Sequence, residues 1–147
     1  MVVSDSPLVR SLMRIAKITR IHFNDTVREA GAQAGQDELF TVLSADTPTN
    51  VSEAAKRLRV RSATVSRMLD RLSKRGLVKR IVIAGDRRRI GVVLTPEGSE
   101  VQRRVHDVWC RMEKDLLGDL SDTEAEDITE GLTLLDAHLK KRLSRLR

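Results

Sequence analysis

Three consecutive arginines, Arg87, Arg88 and Arg89, are the side chains of this sequence that most clearly suit one kind of chemistry. They follow Gly85 and Asp86, and the segments on either side read as two short strands, which predicts a β-hairpin with three guanidinium groups at its tip. Guanidinium groups bind phosphate oxygens and enter narrow minor grooves. Asp86 is expected to hydrogen-bond Arg88 and hold it for a minor groove, and Arg87 and Arg89 are expected to contact phosphates.

A second polar group lies on the helix that is predicted before this hairpin. Its apolar residues have the spacing i, i+3, i+4 and i+7, which buries one face, at Val65, Met68, Leu69 and Leu72. Small residues near the start of the opposite face allow close approach to DNA, and its arginines can reach guanine or phosphate. An ordinary solvated face is the alternative. The candidate DNA contacts on this helix are Ser62, Ala63, Thr64, Ser66, Arg67, Arg71 and Lys74.

Charge is concentrated in the same part of the chain. The whole sequence has a formal net charge of +6. Residues 51–89 contain thirteen Lys and Arg against three Asp and Glu, a net charge of +10, which leaves −4 for the remainder. Such segregation favours a polyanionic partner. A helix pair followed by a basic hairpin is the layout of a winged helix-turn-helix, so double-stranded DNA is the predicted partner.

Composition excludes several other classes. The 147 residues suit one domain, and an aromatic content of 2% argues against single-strand binding by base stacking. The sequence has no apolar run long enough for a membrane span, no visible signal peptide and a single cysteine, from which we expect a cytoplasmic protein without membrane contact. The three histidines lie on three predicted helices and no catalytic motif is present, so we expect no enzyme, no cofactor and no metal.

The elements that must position these residues are six helices and the hairpin. Helix starts are predicted at Pro7, after Asn50, after Thr95 and after Ser121, where proline or capping residues occur. Leu39, Val42 and Leu43 predict a second helix of their own. The fifth helix is expected to turn five residues inward, namely Val101, Val105, Val108, Met112 and Leu116. The first and sixth helices carry apolar faces too extensive for a lone winged helix, the sixth at Ile128, Leu132, Leu135, Leu139 and Leu143.

Residues 51–98 resemble the MarR (multiple antibiotic resistance regulator) family of bacterial transcription factors, and the helix order extends the resemblance over nearly the whole chain. The family pattern D-x-R followed by L-T-x-x-G matches Asp86, Arg88, Leu94, Thr95 and Gly98. The junction between helix and wing matches at Leu72 and Arg75-Gly76-Leu77-Val78. One position departs from the pattern: Arg61 stands where the family usually has a small capping residue, so Ser62 is predicted to cap the fourth helix instead.

The resemblance implies a mostly α-helical fold with a small β-hairpin wing. It implies one MarR-like domain over 1–147, with a winged-helix lobe at 36–98 and dimerisation helices at 6–34 and 99–147. The implied function is that of a ligand-responsive repressor, a homodimer on an inverted-repeat operator. Activation instead of repression stays open, as does a sequence-independent architectural DNA-binding role, and an enzyme using the acidic start of the sixth helix would need a cleft that the sequence does not locate.

Small aromatic or phenolic acids are the effectors that the resemblance implies, bound between the dimer helices and the lobe. The candidate effector contacts are Arg14, His22, Trp109 and Arg111, for which ordinary surface or interhelical contacts are the alternative. His106 and Cys110 share a helix face and could hold a metal, although two ligands are more often coincidence. Cys110 could also sense oxidants, but a packed, inert thiol is the favoured interpretation.

Overall fold

The computed structural model describes residues 7–33, 35–83 and 90–144. The elements are α1 (Pro7–Glu29), α2 (Asp37–Phe40), α3 (Val51–Leu58), α4 (Ser62–Lys74), β1 (Val78–Val82), β2 (Ile90–Leu94), α5 (Pro96–Leu117) and α6 (Asp122–Ser144). The six predicted helices and the hairpin are therefore confirmed, and the fold is mostly α-helical with one antiparallel pair of strands.

The second helix is shorter than its apolar pattern predicts. Val42 and Leu43 are buried but lie after the end of α2. The helix ends because the chain tightens into i→i+3 hydrogen bonds, from Thr41 N to Glu38 O at 3.1 Å and from Val42 N to Leu39 O at 3.2 Å. Apolar spacing alone does not separate one turn of α-helix followed by a tight turn from a longer helix.

The chain divides into two compact units, Met1–Trp109 and Cys110–Arg147, and α5 passes from the first into the second. The core of the first unit draws on every element that lies wholly within it, and on the part of α5 before Cys110. Its most deeply buried large side chains include Phe40, Leu39, Leu69, Leu72, Val27, Val65, Val92, Val105 and Val108. This core fixes α4 and the hairpin on one scaffold.

Helices α3 and α4 form a helix-turn-helix. As predicted, Asn50 caps α3, since its Oδ1 accepts a hydrogen bond from Glu53 N at 2.8 Å. The predicted cap of α4 is wrong, because Ser62 is already the first helical residue and Arg61 occupies the cap position without a side-chain hydrogen bond. Arg61 has an extended backbone, and its carbonyl accepts from Thr64 N at 2.9 Å, so α4 begins through backbone contacts alone.

The hairpin is held to the scaffold along both strands. Val78 pairs with Leu94 at its base and Val82 with Ile90 towards its tip. On the other side of β2, Thr49 and Val92 exchange two backbone hydrogen bonds of 3.0 and 2.9 Å, which form a single β-bridge. Both backbone polar groups of Val92 bond Thr49, and the base of the wing is thereby fixed relative to the chain that enters α3.

Thr95 and Gly98 join the base of the wing to the end of α4. Thr95 N donates to Leu77 O at 3.1 Å, and its hydroxyl donates to Gly76 O at 2.6 Å and accepts from Gly98 N at 3.0 Å. A Cβ on Gly98 would lie 1.8 Å from Leu77 O, so only glycine permits this approach. The sequence pattern L-T-x-x-G is thus the signature of one close backbone junction.

The second unit contains the end of α5 and the whole of α6. A complete capping box opens α6, as predicted: Glu124 Oε2 accepts from Ser121 N at 2.9 Å, and Ser121 Oγ accepts from Glu124 N at 3.4 Å. The hydrogen bonds from Ser121 lower the pKa of Glu124. Most of the apolar face of α6 is exposed, at Ile128, Leu132 and Leu139. The prediction that Leu116 of α5 turns inward is wrong, because it is exposed like the face of α6.

Candidate nucleic-acid interface

The polar face of α4 is presented to solvent as the sequence predicts. Val65, Leu69 and Leu72 are buried in the lobe and Met68 is half-buried, which fixes the rotation of the helix about its axis. The candidate contacts Ser62, Ala63, Thr64, Arg67, Arg71 and Lys74 are exposed, and Ser66 is half-buried. The structure therefore brings these residues together on one open surface.

The Arg67 side chain lies along the first turn of α4. Its Nε donates to Ala63 O at 3.4 Å, a long hydrogen bond that places the guanidinium over the start of the helix. The neighbouring side chains there are the small Ser62, Ala63 and Thr64. A planar fork of N–H donors next to small side chains is an arrangement that can contact the edge of a guanine.

The structure adds two residues that the sequence analysis did not select, Asp70 on α4 and Arg80 on β1. Arg80 Nη2 donates to Asp70 Oδ1 at 2.5 Å, which is a salt bridge between the recognition helix and the wing. The sequence did contain one signal, because Asp70 is the single acidic residue of α4, but nothing in it identified Arg80 as the partner.

Two other arginines of the basic segment are engaged within the protein. Arg57 Nη1 donates to Val42 O at 3.3 Å. Arg75 donates through Nη2 to Gly31 O, and through Nη1 to Gln36 Oε1 at 3.5 Å, so it ties the end of α4 to the segment between α1 and α2. The charge of +10 counted from the sequence thus overstates the number of cations whose main contacts lie outside the chain.

The tip of the wing lies outside the described residues. The expectations for Asp86, Arg87, Arg88 and Arg89, including the pairing of Asp86 with Arg88, stay predictions.

A cavity of about 470 Å³ lies between α2 and α5 within the first unit. We call it the α2–α5 cavity, and it is lined by Asp37, Phe40, Thr41, Ser99, Gln102, Arg103, Val105, His106 and Trp109. Aromatic side chains form part of its wall, and Trp109 also packs on Phe23 with ring centroids 4.6 Å apart. The wall is closed on one side by Gln102, whose Nε2 donates to Phe40 O and Leu43 O at 2.6 and 2.9 Å.

The charged groups of this cavity already have partners in the chain. Asp37 is 0% exposed, and its Oδ1 accepts from Gly35 N at 2.9 Å. Its Oδ2 makes no hydrogen bond within the described residues and lies 4.0 Å from Arg20 Nη1. Arg103 is held by Glu100 at 2.7 Å and Asp107 at 3.0 Å, and its hydrogen bonds lower the pKa of Glu100.

The structure places only one of the four predicted effector contacts at this cavity. Trp109 is part of its wall, whereas Arg14 and His22 are exposed on α1, outside the residues that line it. Arg111 is exposed and belongs to the second unit. The prediction of a packed thiol is wrong, because Cys110 is exposed at the start of that unit.

The described residues contain neither a metal site nor a membrane-spanning helix. Within residues 7–33, 35–83 and 90–144, no group of three or more His, Cys, Asp or Glu side chains could hold a metal ion. In the same part of the chain, no helix has both the length and the hydropathy that crossing a bilayer requires.

Comparison with known proteins points to one family. The model of the MarR family matches residues 38–90, which include the helix-turn-helix and the first strand of the hairpin. The transcriptional regulator PecS of Dickeya dadantii, an HTH-type regulator, is 32% identical over 88 residues, which are 60% of this chain and 53% of PecS. The chain thus spans about half the length of this curated relative.

Solved structures extend the likeness to the whole fold. A MarR protein from Peptoclostridium difficile superposes with a TM-score of 0.85 at 19% identity, covering 100% of this chain and 96% of that one. A mutant of MarR from E. coli, solved in complex with operator DNA, superposes with a TM-score of 0.76 at 23% identity, covering 88% of this chain and 94% of that one. At these identities the superpositions establish the fold.

Proposed function

The chain belongs to the MarR family of transcription regulators, and from this premise we propose that it binds an inverted-repeat operator in double-stranded DNA as a homodimer and represses transcription. The observation that carries the proposal is the polar face of α4. A helix with one face buried in its own lobe and the other lined by small polar residues and arginines is suited to lie in a major groove.

The hairpin supports the proposal from the other side of the surface. Its base is bonded to Thr49, to Leu77 and, through Arg80, to α4. The base of the wing is therefore joined to the recognition helix. The arginines expected at the tip, Arg87 to Arg89, would then contact the minor groove and the flanking phosphates.

We propose that the chain dimerises because α1 and α6 expose many apolar side chains. On α1 the exposed residues include Leu8, Met13, Ile15, Ile18 and Ile21, and on α6 they include Ile128, Leu132, Leu134 and Leu139. Large apolar patches of this kind mark protein–protein interfaces. A second copy is the proposed partner for both faces, in line with the domain boundaries expected from the sequence, 6–34 and 99–147 for the dimerisation helices. Twofold symmetry would place the two recognition helices about 34–36 Å apart on successive major grooves.

The α2–α5 cavity is the proposed effector site, in place of the crevice that was expected at Arg14, His22 and Arg111. A volume of about 470 Å³ suits a small molecule, and Phe40 and Trp109 suit a flat apolar ring, as an aromatic acid has. Gln36 lies next to Asp37 in the sequence, and its Oε1 accepts a hydrogen bond from Arg75 at the end of α4. A ligand that displaces α2 would therefore also disturb the recognition helix. Since such a regulator acts on the genome, we propose the cytoplasm as its location.

Selection of bound sequences from a pool of random duplexes tests the proposed function. We expect enrichment of an inverted repeat whose half-sites are centred one helical turn apart, about 10–10.5 base pairs. Binding without enrichment would support an architectural DNA-binding protein instead. Absence of binding to any duplex would overturn both interpretations.

The salt dependence of binding to the selected duplex tests the electrostatic part. If about six phosphates are neutralised, affinity should fall by roughly 10³-fold between 50 and 200 mM salt. An affinity that hardly changes over this range would show that the basic segment is not the DNA surface.

A further inference from the structure

The salt bridge between Asp70 and Arg80 places a negatively charged side chain on the surface that is proposed to bind DNA. Asp70 is the single acidic residue of α4, and its side chain is 54% exposed among the candidate DNA contacts Arg67, Arg71 and Lys74. A carboxylate at such a place repels phosphates, since like charges brought together across an interface weaken binding. Its presence therefore calls for a compensating role.

The geometry of Arg80 provides that role. Arg80 lies opposite Val92 in the hairpin, and Val92 exchanges two backbone hydrogen bonds with Thr49, so the strand pair that carries Arg80 is held to the chain before α3. Only the long side chain is left to be ordered, and the 2.5 Å hydrogen bond from Nη2 to Asp70 Oδ1 orders it. The Arg80 side chain is 46% exposed, and its guanidinium lies between the recognition helix and the wing.

A guanidinium has five N–H donors in a planar fork, and a carboxylate at one Nη occupies only one side of it. The remaining donors can bind a phosphate oxygen without releasing the carboxylate. Because Asp70 has already fixed the rotamer, the entropy of ordering this side chain is not lost on binding.

We propose that Asp70 is a positioning residue that holds Arg80 in place as a phosphate clamp between the recognition helix and the wing. This inference rests on the proposed DNA-binding function. It assigns a favourable effect on DNA affinity to a negatively charged side chain, whereas Coulomb repulsion alone assigns an unfavourable one.

The test compares Asp70→Asn, Arg80→Ala and the double variant with the full-length protein, by fluorescence anisotropy on the inverted-repeat duplex selected from random DNA. Asp70→Asn should bind about three- to tenfold more weakly, the cost of ordering one long side chain on binding. Arg80→Ala should bind more weakly still, and in that background Asp70→Asn should no longer weaken binding but leave the affinity equal or slightly higher, because only its repulsion of phosphates is then removed. Tighter binding by Asp70→Asn, or independent effects of the two substitutions, would overturn the inference.

The slope of affinity against salt separates a DNA contact from a merely structural role. Loss of one phosphate contact lowers this slope by about one, and we expect this lowering in Arg80→Ala but not in Asp70→Asn, in which Arg80 still reaches the phosphate once it is ordered. An unchanged slope in Arg80→Ala would show that the pair only supports the fold. Arg80→Lys keeps the charge and the strand but lacks the fork, and it should behave like Asp70→Asn even if the latter folds poorly.

Glu53→Gln is the matched control, because it removes an exposed acid from α3 of the same helix-turn-helix. It should leave the salt slope unchanged and the affinity equal to that of the wild type or slightly higher. Failure of the wild type to bind any duplex would overturn the proposed function itself. Wild-type binding with a tighter Asp70→Asn variant would overturn only the inference.

Discussion

Helices α4 and α6 have similar apolar spacing in the sequence but very different surroundings in the structure. In α4, Val65, Leu69 and Leu72 are buried within the first unit, and polar side chains are exposed. In α6 the side chains at the corresponding spacing, such as Leu132 and Leu139, are exposed. Apolar residues at helical spacing thus predict that this face of the helix packs against other protein. Only the fold shows whether the packing partner belongs to the same chain.

The two helices also begin differently. The N-terminus of α4 has no side-chain cap, since Arg61 makes no capping hydrogen bond, and the helix relies on its buried face. The N-terminus of α6 has a complete capping box between Ser121 and Glu124. We infer that α4 is stabilised mainly by packing within its lobe, whereas α6 depends on local contacts and on the proposed second copy.

The largest expected effect is that of placing charges on the exposed face of α6. The double variant Leu132→Glu/Leu139→Glu buries two carboxylates in the proposed dimer interface, and we expect a monomer in sedimentation. Because a monomer contacts one half-site, operator affinity should fall by about 10²-fold or more. An intact dimer in this variant would show that the exposed apolar face of α6 is not the dimer interface.

The matched control for that experiment is Ala137→Glu. Ala137 is exposed and lies opposite Ile128, Leu132 and Leu139 on α6, so the substitution adds the same charge away from the two leucines that the double variant changes. We expect it to sediment as a dimer and to bind the operator as the wild type does. Dissociation by Ala137→Glu would mean that charge anywhere on α6 is disruptive and that the apolar face is not special.

The second effect contrasts a glycine of the lobe with a glycine of α6. A Cβ at Gly98 would lie 1.8 Å from a backbone oxygen, so Gly98→Ala should lower the free energy of unfolding by about 3 kcal/mol or more. A Cβ at Gly131 has no atom within 4 Å, so Gly131→Ala should raise it by about 0.5–1 kcal/mol. Denaturant unfolding measures both, and equal effects at the two positions would contradict the close junction at Leu77.

Much of the lobe could be predicted from sequence because its signals are local. The cap at Asn50, the apolar spacing of α4 and the motif residues Thr95 and Gly98 all act within a few residues of the elements that they define. The order of the helices followed from the same local patterns, and it agreed with the family resemblance. These local signals did not predict the length of α2, because a tight turn at Thr41 buries the same residues as a longer helix would.

The candidate site was predicted less completely, because its missing parts depend on tertiary contacts. Arg80 is bonded to Asp70, ten residues earlier in the chain, and Arg75 to Gly31, 44 residues earlier. The α2–α5 cavity is likewise formed by segments about 60 residues apart, so only Trp109 among its lining residues had been selected as an effector contact. Composition and spacing predict which side chains are exposed, but they do not predict which long side chains contact each other.

The third effect lies on the polar face of α4. If Arg67 contacts a guanine, Arg67→Ala should cost about 1–3 kcal/mol of binding free energy and relax the preference at one position of each half-site. Arg67→Lys keeps the charge without the planar fork, so it should lose the preference but retain most of the affinity for unselected DNA. Selection with both variants provides the measurement. Unchanged preference in Arg67→Ala would show that the residue contacts phosphate or solvent.

The smallest effect concerns the start of α6, where the stability is local. Ser121→Ala removes the cap and should lower the free energy of unfolding at neutral pH by about 1 kcal/mol. Thr123→Ala, which removes a hydroxyl from the same turn without touching the capping box, should have little effect.

The titration of Glu124 then shows whether the capping box is the cause. The hydrogen bonds from Ser121 hold the pKa of Glu124 below its ordinary value, so the stability that they contribute is present above the pKa of the unfolded chain and is lost as the pH falls through the lower, folded value. The destabilisation by Ser121→Ala should therefore be full at neutral pH and shrink in acid. In carboxyl NMR titrations, the pKa of Glu124 should rise towards its ordinary value in Ser121→Ala and stay low in Thr123→Ala. A pKa that stays low in both variants would show that the Ser121 hydroxyl is not the group that lowers it, and α6 would then resemble α4 in starting without a side-chain cap that matters.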